Sequence, residues 1–493
     1  VSLLAAVVLL AGAAGPVVVA PAEASPAEEA WVSEAVADEL PRALGELGVA
    51  VIERHERLRV QERLGLPPVR LSRATSIRVA EVVGAWRIVT SAVEREGTDV
   101  LLKVRTLDVS RGALAAPLVA RGPLSSLQAL LAGLAFDIAL SGPTPPLRTR
   151  QALTALRTAA PFEAFRTHAE ALAAGEPAAR ARLLHKALSL HPAYAEAIVD
   201  LARLQIEQGE HAAALETLAR AGRDGRSGRA ARFAEGVALL SVGRYREAAA
   251  LYAELRQDAE TPAVLANEGA ALLRLRRAES PASAPLRRAL EREPGAVDLP
   301  ASLGFALLHE GRPEAAAFFL RAAVRNDPRD AAARVLLSWA LRRSGREEAA
   351  EGEWRDLLSL TSAFSSLREP DMQRRFERIL PSEGALVVEA EARGDAELAS
   401  AHASRGEKLL QEGDAGGAAA ELQKASALVP FDPGVRVLLA RALRGRGDVA
   451  RAEEELRASL FCREDGEVRR ELADLLRAQG RAAEAIRLLE DRP

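Results

Sequence analysis

The chain has 493 residues, with 66 Lys+Arg against 69 Asp+Glu, 48% hydrophobic residues, 4% aromatics, one Cys and one Met. That composition excludes wholesale disorder, offers no basic footprint for nucleic acid, and leaves Cys462 without a partner for an intrachain disulfide. Ala and Leu dominate the apolar fraction and are strong helix formers, whereas strands favour β-branched and aromatic side chains, so close-packed helices are expected. Length alone suggests about three domains. Only Lys103, Lys186, Lys408 and Lys424 are Lys; the other basic residues are Arg, spread along the whole chain as codon bias would spread them.

Residues 1–24 read VSLLAAVVLLAGAAGPVVVAPAEA. The apolar run before Gly15 is too short to span a bilayer and has the length of a signal-peptide core. Ala22 and Ala24 occupy the two positions that a signal peptidase reads, which places a cut before Ser25. No positive charge precedes the run and no Cys follows it, so a lipid anchor is not expected. The alternative is an uncleaved segment held at a membrane. Export to the periplasm or envelope is the expectation.

From Trp31 to Leu140 helical and strand patterns mix. Trp31–Leu47 has helical spacing interrupted by Pro41, and Gly48–Glu53 is a short buried-type strand. His55–Leu64 is helical and ends at Gly65-Leu66-Pro67-Pro68; Ser72 caps a further helix that Gly84 stops. Arg87–Glu94, Asp99–Leu107 and Ala113–Ala120 read as strands separated by turns at Glu96–Asp99 and Ser110–Gly112, and Leu124–Leu140 closes the segment as a helix. This is an α+β arrangement over residues 25–140.

Three stretches of that segment, VAVIERHERLRVQERLGLP, SIRVAEVVGAWRIVTSAVEREG and VLLKVRTLDVSRGAL, carry a resemblance to the amino-terminal domain of TolB-type periplasmic proteins and to curli-secretion and FlgO-like envelope domains. Ser91 stands where such domains usually place a Gly after the central strand. The resemblance implies a cell-envelope module that contacts other proteins, and it transfers no active site. Residues 141–160 follow as a Pro-rich linker, SGPTPPLRTR, and a lead-in helix.

Gly175, Gly209, Gly243, Gly311 and Gly345 then fall on a ladder of step 34, with Arg277 at the missing rung. Ala214, Ala248, Ala316 and Ala350 lie five residues after a rung; Ala187, Ala221, Ala289 and Ala323 lie twelve after; Pro192, Pro294 and Pro328 lie seventeen after. Three residue types locked to a 34-residue period identify tetratricopeptide (TPR) helix–turn–helix repeats. The Gly ends the first helix of a pair, the Ala residues allow close approach, and Pro stops the second helix. Six repeats cover residues 161–362, the fourth with a short or bent second helix because of Pro281 and Pro285. A helical spacer over 363–398 includes a helix from Asp371 to Ile379. The ladder resumes with Gly413, Gly447 and Gly480, giving about three repeats over 399–493. The expected fold class is mainly α, an α-solenoid of TPR repeats preceded by a small α+β domain.

The seven His are scattered, and no H-E-x-x-H, phosphate-loop or G-x-S-x-G motif is present. No catalytic, metal or cofactor residue is expected. In the TPR family the first helix of each pair lines a groove that takes peptide segments or helices. Groove positions here hold Arg203, Phe233, Leu240, Asn267, Arg274, Phe305, His309, Trp339, Arg342 and Arg343, with Arg441 and Arg444 in the second block. Phe233, Phe305 and Trp339 serve equally well as core between repeats, and the Arg as solvated surface. Asn267 with Arg274 resembles part of the family's carboxylate clamp, without its Lys residues. The reading is a non-enzymatic exported scaffold that binds protein or peptide partners through the groove. The alternative is a structural subunit of an envelope complex whose contact is made by the α+β domain.

Overall fold

The computed structural model describes residues 15–25, 30–64, 66, 73–82, 85–109, 112–143, 145–275, 281–292, 299–328, 330–360 and 389–490. The chain divides into two compact units, Val1–Val242 and Gly243–Pro493.

Unit one opens with β1 (Val17–Val19), β2 (Glu23–Ser25), α1 (Ala30–Glu46), β3 (Val51–Ile52), α2 (Arg54–Arg63) and α3 (Arg73–Val82). The hairpin β4 (Arg87–Glu96) and β5 (Asp99–Asp108) follows, then β6 (Ala113–Leu114), β7 (Leu118–Pro123) and α4 (Leu127–Leu140). The sheet runs β3-β1-β4-β5-β6, with β2 also on β4 and β7 also on β5. β1 is parallel to β3 and β4, while β4 and β5 are antiparallel around a turn that contains Gly97 at φ +65°. Alternation along β5 sends Val100, Leu102 and Val104 into a core shared with Leu40 and Leu44 of α1 and Leu127 and Leu131 of α4. α1 continues through Pro41 without interruption. The Ser72 cap, the Gly84 stop and most of the Gly65–Pro68 break lie outside the described residues.

Part of the expected leader takes up strands of the sheet. A leader ending at Ala24 would carry away β1 and β2, yet Val17, Val18 and Val19 are fully buried and β1 is the strand that joins β3 to β4. A Val triplet bounded by Pro suits a buried parallel strand as well as a leader, and composition cannot separate the two. The Pro-rich segment is also tied down: the Leu147 amide donates to the Leu47 carbonyl at 3.0 Å, and Arg148 pairs with Glu46 at 3.2 Å. Core packing crosses this segment, because Leu153, Phe165 and Ala169 join the same apolar cluster as Trp31 and Val32.

Unit one continues with α5 (Arg150–Arg157), α6 (Phe162–Ala173), α7 (Pro177–Leu190), α8 (Ala195–Glu207), α9 (His211–Leu218) and α10 (Gly225–Ser241). Unit two contains α11 (Tyr245–Asp258), α12 (Pro262–Leu275), α13 (Ser283–Arg292), α14 (Leu299–His309), α15 (Pro313–Asn326), α16 (Ala331–Arg343) and α17 (Glu347–Leu360). Its remaining helices among the described residues are α18 (Glu389–Gln411), α19 (Ala415–Leu428), α20 (Pro433–Gly445), α21 (Val449–Cys462), α22 (Gly466–Ala478) and α23 (Ala482–Glu490). The pairs follow the 34-residue ladder. Seven rung glycines, from Gly209 to Gly480, have φ between +72° and +84°. Gly175 is the exception, since α6 ends on extended Ala174. The Ala five residues after each rung is buried in every pair where the ladder placed it. α13 has 10 residues, but α9, with eight, is shorter still. Gly225 at φ +70° starts α10 four residues ahead of the register. The helix expected over 371–379 lies outside the described residues, and α18 begins at Glu389 inside the expected spacer.

At Gly269, Gly304 and Gly406 the first helix of a pair approaches the second too closely for a methyl group. A Cβ added at any of them would lie 2.5 Å from a Leu Cγ: Leu286, Leu320 and Leu422 respectively. Unit two holds a second contact that the spacing of repeats does not announce. Phe318 and Phe319 of α15 meet Phe431 and Phe461, with ring centroids 5.5–6.2 Å apart, while Glu464 takes Arg287 at 3.5 Å and Arg312 at 3.2 Å. The last repeats of the chain therefore pack on α13 and α15, the second helices of pairs four and five.

Gly304→Ala forces a methyl into Leu320 and should cost about 1–3 kcal/mol in urea unfolding of unit two; the companion change Leu320→Ala should make the added methyl far less harmful. Val18→Asp places a carboxylate in the middle of the sheet and should destabilise the α+β domain by about 3 kcal/mol or more. A neutral outcome in chemical denaturation would remove β1 from the fold.

Candidate partner-binding surfaces

The groove positions do not form one open surface. In unit one, Arg203 on α8 is partly exposed and 3.7 Å from Asp200, Phe233 on α10 is half-buried, and Leu240 is buried. In unit two, Asn267 is buried and its amide donates to the Tyr252 hydroxyl at 3.2 Å, which removes it from any clamp. Arg274 lies partly exposed, 5.8 Å from the Tyr245 ring centroid. Phe305 and Trp339 are core residues at 1% and 5% exposure, because each faces the neighbouring helices of the stack. His309 sits edge-on to Phe305 at 4.7 Å and is partly exposed. Arg342 and Arg343 are exposed at the end of α16, Arg343 stacked 4.7 Å over Trp339 and Arg342 3.6 Å from Glu347. Arg441 and Arg444 are exposed and share Glu471, at 2.9 and 3.8 Å.

The first helices of unit one present a different situation: they are already covered. α1 is buried on two faces of opposite chemistry. Val32, Val36, Leu40, Ala43 and Leu44 turn to the sheet, whereas Glu34, Asp38, Glu39 and Arg42 recur at helical spacing on the other side. That charged stripe meets the repeats. Arg157 of α5 grips Glu39 through both oxygens at 2.6 and 2.7 Å and reaches Glu196 of α8 at 3.0 Å. Arg42 lies between Asp38 at 2.9 Å and Asp200 of α8 at 3.6 Å. His168 of α6 bonds Asp200 at 2.8 Å and stacks edge-on against Tyr194 at 5.2 Å. Arg54 of α2 pairs with Glu34 at 2.6 Å and donates to the Leu172 carbonyl at the end of α6. Arg226 of α10 pairs with Glu53 at 2.7 Å.

Burial and pairing compete at each carboxylate. Burial pushes the Glu39 carboxyl above its ordinary range despite Arg157. For Glu196 burial is outweighed by Arg157 and Arg42, which hold it low. Burial is likewise outweighed at Asp200, where the His168 hydrogen bond and Arg42 hold the carboxyl well below the usual range. Among the described residues no group of three His, Cys, Asp or Glu is placed to hold a metal, and no helix is long and apolar enough to cross a membrane.

This arrangement defines a mainly α protein of TPR helix pairs led by a small α+β domain. A tetratricopeptide-repeat family model matches residues 171–235 and 409–461, both within the helix pairs. Among solved structures the chain is similar to YrrB, a TPR protein described as having an unusual peptide-binding site, at 18% identity over 40% of this chain and 100% of that one, with a TM-score of 0.32. A TPR protein from Parabacteroides merdae matches at 14% identity over 57% of this chain and 98% of its own, TM-score 0.34. A monomeric IFIT1 mutant with Gppp-AAAA matches at 16% identity over 61% and 70%, TM-score 0.21. No curated protein matches the sequence.

Arg157→Ala strands Glu39 and Glu196 in the interior and should cost about 3–5 kcal/mol in denaturant unfolding of unit one. The acid response follows from the depressed carboxyls. Asp200 and Glu196 contribute stability above the unfolded-state value of about 4 and lose it as pH falls below that; Glu39, raised, works in the opposite sense. Hydrogen-exchange protection of α1 and α8 should therefore decline as pH falls below about 4, and Asp200→Asn should flatten that decline.

Proposed function

We propose that the protein is a non-enzymatic, exported scaffold that holds protein partners in the cell envelope, and that the partner contact lies on the first-helix side of unit two. TPR pairs supply a protein-binding framework, and the family model that matches residues 171–235 and 409–461 is a tetratricopeptide repeat. The observation that carries the placement is the end of α16, where Arg342 and Arg343 stand exposed and Arg343 caps the buried Trp339. An Arg on an aromatic face combines charge with a firm apolar base, the usual chemistry of a binding hot spot. Acidic peptide segments are the partners it fits. The lack of a basic excess in the chain, rather than the fold, argues against nucleic acid. Export is supported by the apolar start and by the TolB-type resemblance of residues 25–140.

The alternative, contact through the α+β domain, has one observation in its favour. Leu114 and Val119 on β6 and β7 are large apolar residues left 49% and 58% exposed. A photo-crosslinking residue at position 342 of the full chain, compared with one at 119, separates the two. The proposal expects protein adducts from position 342 that disappear in the Arg343→Glu variant. Adducts from 119 alone would move the contact to the α+β domain, and RNA adducts from 342 would overturn a protein partner.

A further inference from the structure

One end of the α+β domain gathers exposed apolar side chains around the point where the chain enters the sheet. β1, β3 and β4 are parallel, and Val17, Val51 and Arg87 lie level with one another, so all three strands begin at this end. The residues just before them stay together: the Trp86 amide donates to the Pro16 carbonyl at 3.2 Å, and the Val17 amide to the Ala50 carbonyl at 2.8 Å. α1 and α4 finish here too. The Leu147 amide donates to the Leu47 carbonyl just after α1, and Arg87 donates to the Ser141 hydroxyl just after α4, each at 3.0 Å. We propose that this end rests on the surface of a lipid bilayer, with Trp86, Leu140 and Leu147 entering the headgroup layer.

Leu140 and Leu147 are 58% and 78% exposed. A lone exposed Leu on a surface is ordinary, but here two of them share one end of the domain with a half-buried Trp. The Arg87 guanidinium lies 4.1 Å over the Trp86 ring. An aromatic body with a polar partner on its face suits the layer between water and acyl chains. The sequence on the far side of Gly15 selects lipid over a protein as the occupant. Residues 1–14, VSLLAAVVLLAGAA, carry no charged side chain and join the fold through Gly15 and Pro16, at this same end. An apolar run attached there draws Trp86, Leu140 and Leu147 towards lipid, whereas a protein docked on the same residues leaves the run without a role. The charges nearby are already matched. Arg148 pairs with Glu46 at 3.2 Å, Arg150 pairs with Asp137, and Arg87 stands across the hairpin from Asp108. Without a basic excess among these residues, apolar burial drives the contact, which therefore needs no anionic lipid and tolerates salt. The inference goes beyond export, because it concerns the folded end of the domain rather than the apolar run alone.

The test uses the full chain and vesicles of phosphatidylcholine, with and without phosphatidylglycerol. An environment-sensitive NBD label is placed on Leu147→Cys and, in a second protein, on Thr98→Cys, which is exposed in the β4–β5 turn at the opposite end of the hairpin. Cys462 is buried and its thiol is pushed up to about 12 by that burial, so it escapes labelling. Pure phosphatidylcholine vesicles should raise the emission at 147 about two-fold or more and leave the label at 98 unchanged. Flotation of the unlabelled protein with these vesicles should be alike in about 0.05 M and about 0.5 M NaCl. Leu140→Glu with Leu147→Glu, both on the surface, should weaken flotation about ten-fold or more without moving the unfolding midpoint. Flotation with no change at 147 would mean that the apolar run alone holds the lipid, and the docking of this end would be overturned. A rise at both labels, a requirement for phosphatidylglycerol, loss of binding in high salt, or no flotation at all would each overturn it as well. A rise at 147 with protein concentration in the absence of vesicles would assign the surface to a second copy of the chain. None of these readouts involves Arg342 or Arg343, so the partner contact proposed for unit two stands or falls separately.

Discussion

A row of charges on α1 has to be satisfied before unit one can close. Glu34, Asp38 and Glu39 are each less than a tenth exposed, and isolated carboxylates at such depth would be expelled or neutralised. They remain because Arg54, Arg42 and Arg157 reach them with short, partly bidentate bonds, and because Arg42 and Arg157 are each shared with a second carboxylate on α8. Satisfying the row places α5, α6 and α8 against one side of α1 in a single register. The sheet, built on the other side of the same helix, then has its position relative to the repeats decided for it. Apolar contacts such as Leu153 and Phe165 follow from that placement.

Unit two is governed by a different economy, the separation between paired helices. Gly269, Gly304 and Gly406 each admit a Leu so close that a methyl group does not fit, and the buried Ala at each pair's second helix does the same with one carbon more. Close packing of this kind leaves little area for large side chains, which explains why Phe305 and Trp339 fill core positions when they do occur. The aromatic residues in surplus gather elsewhere. Phe318, Phe319, Phe431 and Phe461 join the later repeats to α15, and this covers the second-helix side of pairs four and five. On the first-helix side of this unit the exposed Arg343 stands over the buried Trp339.

The repeats were legible because their determinants are local: a left-handed Gly, a methyl-sized contact and a stop recur every 34 residues whatever the distant chain does. The hairpin β4–β5 was legible for the same reason. The covered surface of unit one was not, since Arg157 and Glu39 are 118 residues apart and a Glu/Asp/Arg stripe on an amphipathic helix reads as a solvated face. The one available signal was that α1 has apolar residues at 32, 36 and 40 and charges at 34, 38 and 42, with Trp31 on the charged side. β1 was hidden because a Val triplet has the composition of a leader and of a parallel strand alike, and its partners β3 and β4 lie far along the chain. The groove list mixed exposed Arg with buried aromatics because family positions specify which helix face a residue occupies, while burial depends on the neighbour across the gap.

The central claim is that the charged row on α1 is coupled to the repeats rather than merely adjacent to them. A double-mutant cycle on Arg42→Leu and Asp200→Asn, read by denaturant unfolding of unit one, measures that coupling directly. The structure predicts an interaction energy of about 1.5–7 kcal/mol, the range of close buried charge pairs. A coupling indistinguishable from zero would mean that α1 and the repeats do not share this contact, and the account of unit one would fail.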